Sequence, residues 1–571
     1  MIGVNPRWLH RRRALHEAFD RICEPPDGSW LAYLGRHLQT WSTAEVAARW
    51  ARADRDPGSS PAVNHVYLHV PFCKSICSFC NYERLQPRRP ALLRRYEARV
   101  IEAIEQLAPS LRGIAWHTLY LGGGTPSVLP ADQLRRIVTA LDRHLDFVPN
   151  SSRYIELDPA VMSPGRLDAL LSLGFHHFSF GIQTLQAGVN ADHDRGAQGP
   201  EIVGQRFEEL RRRDIHDVSC DFLMGLAGTT VEQILDEIRY TIATWRPTWI
   251  DVYMLTPTPS YLDRHFGGSR AAFDAHMGPF LERGPPGLAA IARQFGYVWN
   301  RGEGHALSLY EHRQPPVIDD DGSQPNVYGE FTAYTQLASE QDAPLHLLGL
   351  GTSARSRIFG QGWVEYRDPG DDIAADGPAC WAGHDVDLRD DALCYLVHVL
   401  RDTDTLSIDR FRAVFGCHPR ALFPDALAAW DAEGVVVGED PSQVLLAPRS
   451  RRDRVRDLLW LVPEERLEWE IGRRLGISLA PEALAARLHP IGPGSTFGDW
   501  RIERLSPARL HLQHPDGGVA LRLRPPLVPG RIVPDIVVEG TPSPASVDTL
   551  RAVVRILRRA LGATAGRRAP A

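Results

Sequence analysis

Three cysteines crowd into the eight residues Cys73-Lys74-Ser75-Ile76-Cys77-Ser78-Phe79-Cys80, in a chain of 571 residues that holds eight cysteines in all. This C-x3-C-x2-C spacing constrains the chain more than any other feature. Thiolates are soft ligands suited to zinc or to iron–sulfur clusters. A closed zinc site takes four ligands, and the nearest other cysteines, Cys23 and Cys220, are not paired with a second Cys. Three ligands on a cubane cluster leave one iron open to a small molecule. The blander readings are three buried core thiols, or a disulfide, which does not suit an intracellular chain. The run Val66-Tyr67-Leu68-His69-Val70 before the cysteines reads as a strand, and Pro71, which cannot donate to a ladder, stops it. The thiols are thus expected on a loop at the carboxyl end of a strand, where α/β sheets and barrels hold their ligands.

Composition narrows the surroundings. With 43% hydrophobic residues over this length, several domains can be built. The net charge of −6 gives no reason to expect nucleic-acid binding. No apolar run reaches the roughly 18 residues of a membrane span. Arg11-Arg12-Arg13 has no apolar stretch behind it, which argues against a signal peptide. Cys23, Cys220, Cys380, Cys394 and Cys417 are scattered and read as reduced core thiols. A cytoplasmic location is expected, with no membrane partner.

Along the chain, residues 1–64 form a helical N-terminal arm, with helical spacing in Trp8–Ile22 and Thr43–Ala53 and a linker at Asp54–Pro61. From Val66 to about Leu255, strand-like runs at Thr118–Leu121, Arg153–Leu157, His177–Gly181, Asp217–Leu223 and Trp249–Met254 alternate with helical ones. The helical runs are Leu93–Leu107, Ala131–Leu145, Pro164–Leu173, Glu201–Arg213 and Thr230–Trp245. With the strand before the cysteines this makes six β-α units, hence a parallel sheet with helices outside. Pro257–Pro344 reads as long loops, with Asp319-Asp320-Asp321 inside it. Leu347–Ala354 reads as a strand running into a tight turn. The core with its extension is placed at 65–385. Residues 386–449 show three helical patterns and a hairpin, a winged-helix-like module that lacks a basic stripe for phosphates. Residues 450–571 read as a small α+β domain with paired strands over Trp500–Leu523 and an amphipathic helix at Ser546–Leu561.

Several strand ends carry chemistry, each weak alone. Gly122-Gly123-Gly124-Thr125-Pro126 lets a backbone approach a ligand closely, but it is neither a G-K-[ST] nor a G-x-G-x-x-G loop. Glu156, in Tyr154-Ile155-Glu156-Leu157-Asp158-Pro159, can accept from an ammonium or a ribose hydroxyl; in isolation it reads as a surface carboxylate. Gln183 ends the fourth strand and Arg195 lies twelve residues on. Asp221 ends the fifth.

Taken in this order, these motifs resemble the radical S-adenosylmethionine (SAM) superfamily, whose signature C-x3-C-x-aromatic-C is met here with Phe79 as the aromatic. Tyr67-x-His69-x-Pro71-Phe72-Cys73 narrows the resemblance to the branch of the oxygen-independent coproporphyrinogen III dehydrogenase, which includes related class C radical SAM methyltransferases. The resemblance covers about residues 65–450. It implies a partial (βα)6 barrel open on one side and one 4Fe–4S cluster on Cys73, Cys77 and Cys80. It also implies two SAM molecules. Tyr67, Gly124, Glu156 and the turn Gly349-Leu350-Gly351 would lie by the first; Gln183, Arg195 and Asp221 by the second; Phe79, Thr125, Pro126 and Thr256 would complete the lining. Three positions depart from the founder's pattern: Tyr82 where some members have a fourth cysteine, Ala227 for a proline, and Arg355 for a small apolar residue, a charge expected to alter the substrate or first-SAM pocket. Phe331-Thr332-Ala333-Tyr334-Thr335 resembles the founder's F-x-x-Y-T rather than the motif of the heme-chaperone relatives.

The implied activity is reductive cleavage of SAM to a 5′-deoxyadenosyl radical, fed by a donor such as flavodoxin or ferredoxin. The favoured outcome is methylation or cyclopropanation of an sp2 carbon in a small-molecule or natural-product substrate. The alternatives are oxidative decarboxylation of coproporphyrinogen III and a heme-binding chaperone.

Overall fold

In a computed structural model the chain is described at residues 6–23, 38–53, 62–301, 305–308 and 344–474, apart from positions 83, 197, 302–304 and 402; in the C-terminal part it is described at 496–497, 500–506, 509–515, 517–524, 535–539 and a few positions of 550–557. Phe331–Thr335, Asp319–Asp321 and most of Ser546–Leu561 lie outside these residues. Two compact units result. One holds residues 38–391 and 412–416, the other 1–37, 392–411 and 417–571.

The first unit is built on six strands and the helices between them: β1 Val63–Val70, α1 Pro90–Leu111, β2 Ala115–Gly123, α2 Ala131–His144, β3 Asp146–Leu157, α3 Pro164–Ser172, β4 His177–Gln183, α4 Pro200–Arg211, β5 Val218–Met224, α5 Val231–Trp245 and β6 Trp249–Met254. The six strands lie side by side in chain order and run parallel. The chain shows why. β1 is buried along its whole length save Tyr67, as a parallel strand covered on both faces must be. α1 begins with Pro90 at its first position and buries Tyr96, Val100, Ala103, Ile104, Leu107 and Leu111, one stripe at helical spacing. α5 opens on a capping box in which Thr230 and Gln233 satisfy each other's backbone N–H.

Two features exceed the expectation. Leu345–Leu350 pairs parallel with β1, so seven parallel strands stand in a row. Antiparallel strands then extend both ends, through Arg355–Ile358, Gly362–Arg367, Cys380–Asp385 and Gln39–Trp41 on one side and His305–Ser308 and Val298–Arg301 on the other. The first part of Pro257–Pro344 is also not looped. It contains the helices Pro259–Phe266 and Arg270–Phe295, the second 26 residues long. Pro279, Pro285 and Pro286 inside that helix hid it, since proline removes a backbone donor and crowds the preceding turn. It nonetheless buries Phe273, Met277, Phe280, Leu288 and Ile291 at helical spacing. Gly287 lets α5 come close, for a Cβ there would fall 2.4 Å from Leu235 Cδ1.

Alternate strand residues feed two cores. The larger lies between sheet and helices. The smaller gathers Tyr120, Tyr154, Trp249, Leu345 and Leu347 with Tyr67 packed against them, and forms an aromatic floor on the other face.

In the second unit, Arg12 of the helix Pro6–Cys23 is buried and donates to the backbone carbonyls of Leu459, Trp460 and Val462. The helix Pro424–Ala432 and the hairpin Val436–Glu439/Gln443–Leu446 are present, with Thr405–Ser407 as a third strand; the helix Ile408–Phe415 is shared between the two units. A five-stranded antiparallel sheet follows, whose central hairpin closes between His514 and Gly517.

Leu348, fully buried on the seventh parallel strand, tests how far that strand belongs to the core. Leu348→Ala is expected to cost about 2–5 kcal/mol, and Leu348→Met less than about 1.5 kcal/mol, read from urea unfolding midpoints.

Candidate active site

The loop after β1 is pinned from three sides. The Thr125 N–H donates to the Phe72 carbonyl and the Gly124 N–H to the Val70 carbonyl, both at 2.8 Å. The Cys73 N–H donates to Leu85 at 2.9 Å and the Ser78 N–H to His193 at 3.0 Å. Ser78 Oγ also lies 3.2 Å from His265 Nε2, and His265 stacks on His193 with ring centres 4.5 Å apart. Gly124 is required by closeness: a Cβ there would meet the Phe72 carbonyl oxygen at 2.7 Å and Cys73 Sγ at 2.9 Å. The glycine-rich loop therefore leaves room both for the thiol and for whatever lies beside it.

One cavity at the strand ends is lined by Cys73, Cys77 and Cys80 together with Tyr67, Phe79, Gly124, Thr125, Glu156, Gln183, Arg195, Asp221 and Thr256. Thus twelve of the fourteen residues singled out in the sequence meet there. Pro126 is buried and starts the short helical turn behind the loop, outside the lining. Arg355 is the correction. It sits on the outer strand Arg355–Ile358, directly across from Glu365, with its exposed guanidinium 3.4 Å from that carboxylate. Cross-strand register chose this partner. Gly349 likewise faces the Arg355 backbone, which a Cβ would strike at 2.2 Å, rather than the cavity. Tyr82 lines the cavity and is half-exposed.

The electrostatics are unusual for a cavity wall. Glu156 accepts from the Tyr120 hydroxyl at 2.8 Å and from the Gly123 N–H at 3.0 Å, yet burial, with the nearby Asp251, pushes its carboxyl up to about 7. Asp221 accepts from Ser179 Oγ at 3.2 Å and is held well above the usual carboxylate range by burial, then by Asp251 and Glu156. Asp221 and Asp251 are register partners on β5 and β6, so their side chains share a face. Sequence reading passed over Asp251 and the lining Tyr253; the period-two alternation Trp249, Asp251, Tyr253 on a strand already recognised was the available signal. Arg195 donates to the Gly181 carbonyl and lies 3.8 Å from Cys77 Sγ. Gln183 adopts φ 67°, in the left-handed region, beside an irregularity in the β4–β5 register. A bulge there re-aims a side chain at a cost in backbone strain.

The donor set fits an iron–sulfur cluster. Burial raises the Cys73 thiol to about 11 and raises Cys77 as well, so these thiols stay protonated unless a cationic partner takes them as thiolates. Among the described residues, no group of three or more His, Cys, Asp and Glu is arranged around a single metal ion. A cluster places each thiolate on a separate iron and does not demand that arrangement. Cys73, Cys77 and Cys80 would hold it, with Gly124 leaving space alongside.

Glu156 also makes the site sensitive to pH. Its folded carboxyl keeps its proton up to about 7, above its ordinary 4.5, so the stability it contributes is full below the unfolded value and is lost as pH rises through about 7. The chain without ligands should lose on the order of 1–3 kcal/mol between pH 4.5 and 7.5 from this group. Glu156→Gln should flatten that slope in urea unfolding at several pH values.

The matches to known proteins agree with this geometry. The model of the radical SAM superfamily matches residues 67–241. An anaerobilin synthase of Escherichia coli is 36% identical over 177 residues, 30% of this chain and 38% of that protein. A heme chaperone of Synechocystis is 29% identical over 196 residues, 34% of this chain and 47% of that protein. The chain therefore spans less than half the length of these two curated relatives. The solved coproporphyrinogen III oxidase of Escherichia coli shares the fold, with a TM-score of 0.56 and 19% identity over 74% of this chain and 95% of that one. Cysteine triad, glycine loop, parallel sheet and family match coincide on one stretch: residues 67–241 match the radical SAM superfamily, which uses a 4Fe–4S cluster and S-adenosylmethionine.

Proposed function

We propose that the chain binds two SAM molecules in this cavity, opens one reductively, and uses the second as a one-carbon donor to an sp2 carbon of a small biosynthetic substrate. The observation that carries the reading is the spread of polar groups along the sheet. Tyr67 and Glu156 lie within the carboxyl halves of β1 and β3 and Gly124 just beyond β2, while Gln183 ends β4, Arg195 follows beyond it and Asp221 lies within β5, all of them lining the one cavity.

When bound, the cluster supplies one electron to a sulfonium and so weakens a carbon–sulfur bond. The protein's own groups do the rest. Cys73, Cys77 and Cys80 would hold the cluster, and the glycine-rich loop, whose Gly124 and Thr125 N–H groups already bond Val70 and Phe72, would meet the amino group of the first SAM through a backbone carbonyl. Burial pushes the Glu156 carboxyl up to about 7, and an ammonium or sulfonium beside it would favour the carboxylate, because a nearby cation stabilises the charged form. Arg195 can bind the second methionyl carboxylate by charge-assisted bonds, and Asp221 its amino group or ribose. The aromatic floor of Tyr120, Tyr154 and Trp249 keeps water from below.

A second reading is oxidative decarboxylation of a porphyrinogen propionate. It is supported by the shared fold of the Escherichia coli oxidase, and by Arg355 lying outside the cavity, which removes one of the features that set this chain apart. A relative named as a heme chaperone supports a non-catalytic third. With the cluster restored and dithionite added, the proposal expects methionine, 5′-deoxyadenosine and S-adenosylhomocysteine by mass spectrometry. Methionine and 5′-deoxyadenosine without S-adenosylhomocysteine replace it with the oxidase reading; no cleavage product at all favours the chaperone. Replacing Cys73, Cys77 and Cys80 together by Ala should remove the bound iron and every cleavage product, and equal iron in variant and parent sinks all cluster-based readings.

A further inference from the structure

The thiol loop is held from behind by two histidines that lie outside the cavity lining. Ser78, between Cys77 and Cys80, gives them both of its polar groups. Its N–H donates to the His193 carbonyl at 3.0 Å, and its hydroxyl lies 3.2 Å from His265 Nε2. His265 belongs to the helix Pro259–Phe266, and His193 closes the short helix Ala187–Asp192.

The two histidines are themselves fixed. Their rings stack with centres 4.5 Å apart and planes 14° apart. His193 Nδ1 lies 2.9 Å from the Val189 carbonyl. A carbonyl can only accept, so Nδ1 carries the hydrogen and Nε2 of the neutral ring accepts. Its donor is the Tyr261 hydroxyl at 3.1 Å, which in turn accepts the Ala227 N–H at 2.9 Å. Tyr261 and His193 are both buried. One directed chain of bonds therefore runs from the loop after β5, through the helix that carries His265, to the residue that holds Ser78.

The next two residues carry this anchoring to a thiol. Asp194 has φ 59°, a conformation that a residue with a Cβ keeps only where its surroundings demand it. Arg264, beside His265, donates to the Asp192 carbonyl at 2.7 Å and to the Asp194 carboxylate. The ion pair is half-exposed and adds little by itself, but the carbonyl bond ties the turn to the helix. Arg195 follows, donating to the Gly181 carbonyl and lying 3.8 Å from Cys77 Sγ. What fixes the turn thus fixes the guanidinium against Cys77.

We propose that His265 is a positioning residue for Cys77: from outside the cavity it holds the middle of the thiol loop in the geometry that takes the cluster. The proposal rests on the radical SAM reading for the cluster itself. Groups that orient a metal's ligands without touching the metal change its retention about 10–100-fold when removed. Packing alone would be served by an apolar side chain of similar size. The bond to Ser78 needs a polar atom where Nε2 stands, which Leu lacks and the longer amide of Gln supplies.

The test starts with the cluster-free full chain under reducing conditions. Iodoacetamide labels the thiols, and peptide mass spectrometry reads each rate. Cys73 is the internal standard, because its own N–H is held by Leu85 instead. His265→Leu and Ser78→Ala are each expected to raise the Cys77-to-Cys73 ratio about fivefold, the weight of one hydrogen bond. His265→Gln should stay within about twofold of the parent. Cys220, fully buried, reports on the fold and should stay unlabelled throughout. With the cluster restored, the Leu and Ala variants should start at the parent's iron content and lose iron to a chelator about tenfold faster. An unchanged Cys77 ratio in both of them overturns the proposal. So does a Gln variant that loosens as far as the Leu variant, which leaves His265 only a packing role. If His265→Leu exposes Cys220, Ser78→Ala decides alone, since it removes the same bond from the loop's side. A parent chain that takes up no iron overturns the radical SAM reading instead, and the labelling ratios then decide the role of His265 by themselves.

Discussion

The bond from the Thr125 N–H to the Phe72 carbonyl joins the two loops on which the site depends. It ties the end of β2 to the end of β1, and with the Gly124–Val70 bond beside it the glycine-rich loop becomes a wall of the thiol loop. Without a side chain at position 124 the two backbones can close to this distance. The thiols then point into the same cavity as the glycine loop, and further strand ends bring their own side chains to it. The parallel sheet matters because it stacks all these carboxyl ends on one rim.

The cavity is built at a cost to the empty protein. Glu156, Asp221 and Asp251 stand above an aromatic floor with Arg195 as a nearby cation. Carboxylates held this close and this dry resist ionising together. A nearby cation would favour their ionised forms. Gln183 adds strained backbone at the same rim.

Much of this was legible in the chain. Helical spacing in Tyr96, Val100, Ile104 and Leu107, and strand runs such as Trp249–Met254, recur as α1 and β6, because parallel strands and their covering helices write their burial directly into the sequence. The helix Arg270–Phe295 was hidden because its prolines speak against a helix locally, while burial of Phe273, Met277, Phe280 and Ile291 holds it in place. The seventh parallel strand was visible as a strand but not as a neighbour of β1, since its partner lies nearly 300 residues away.

By itself, the sequence determined the chemistry of the thiols and the order of the strand-end motifs, because ligand type and spacing are local properties. Only the tertiary structure decided which side chains share the cavity. It brought Tyr253 in and set Asp251 beside Asp221 through the register of β6 against β5. It sent Arg355 out, to a strand where Glu365 lies across from it. Register is set by pairing between distant segments, and a one-residue change in it would move a side chain to the other face.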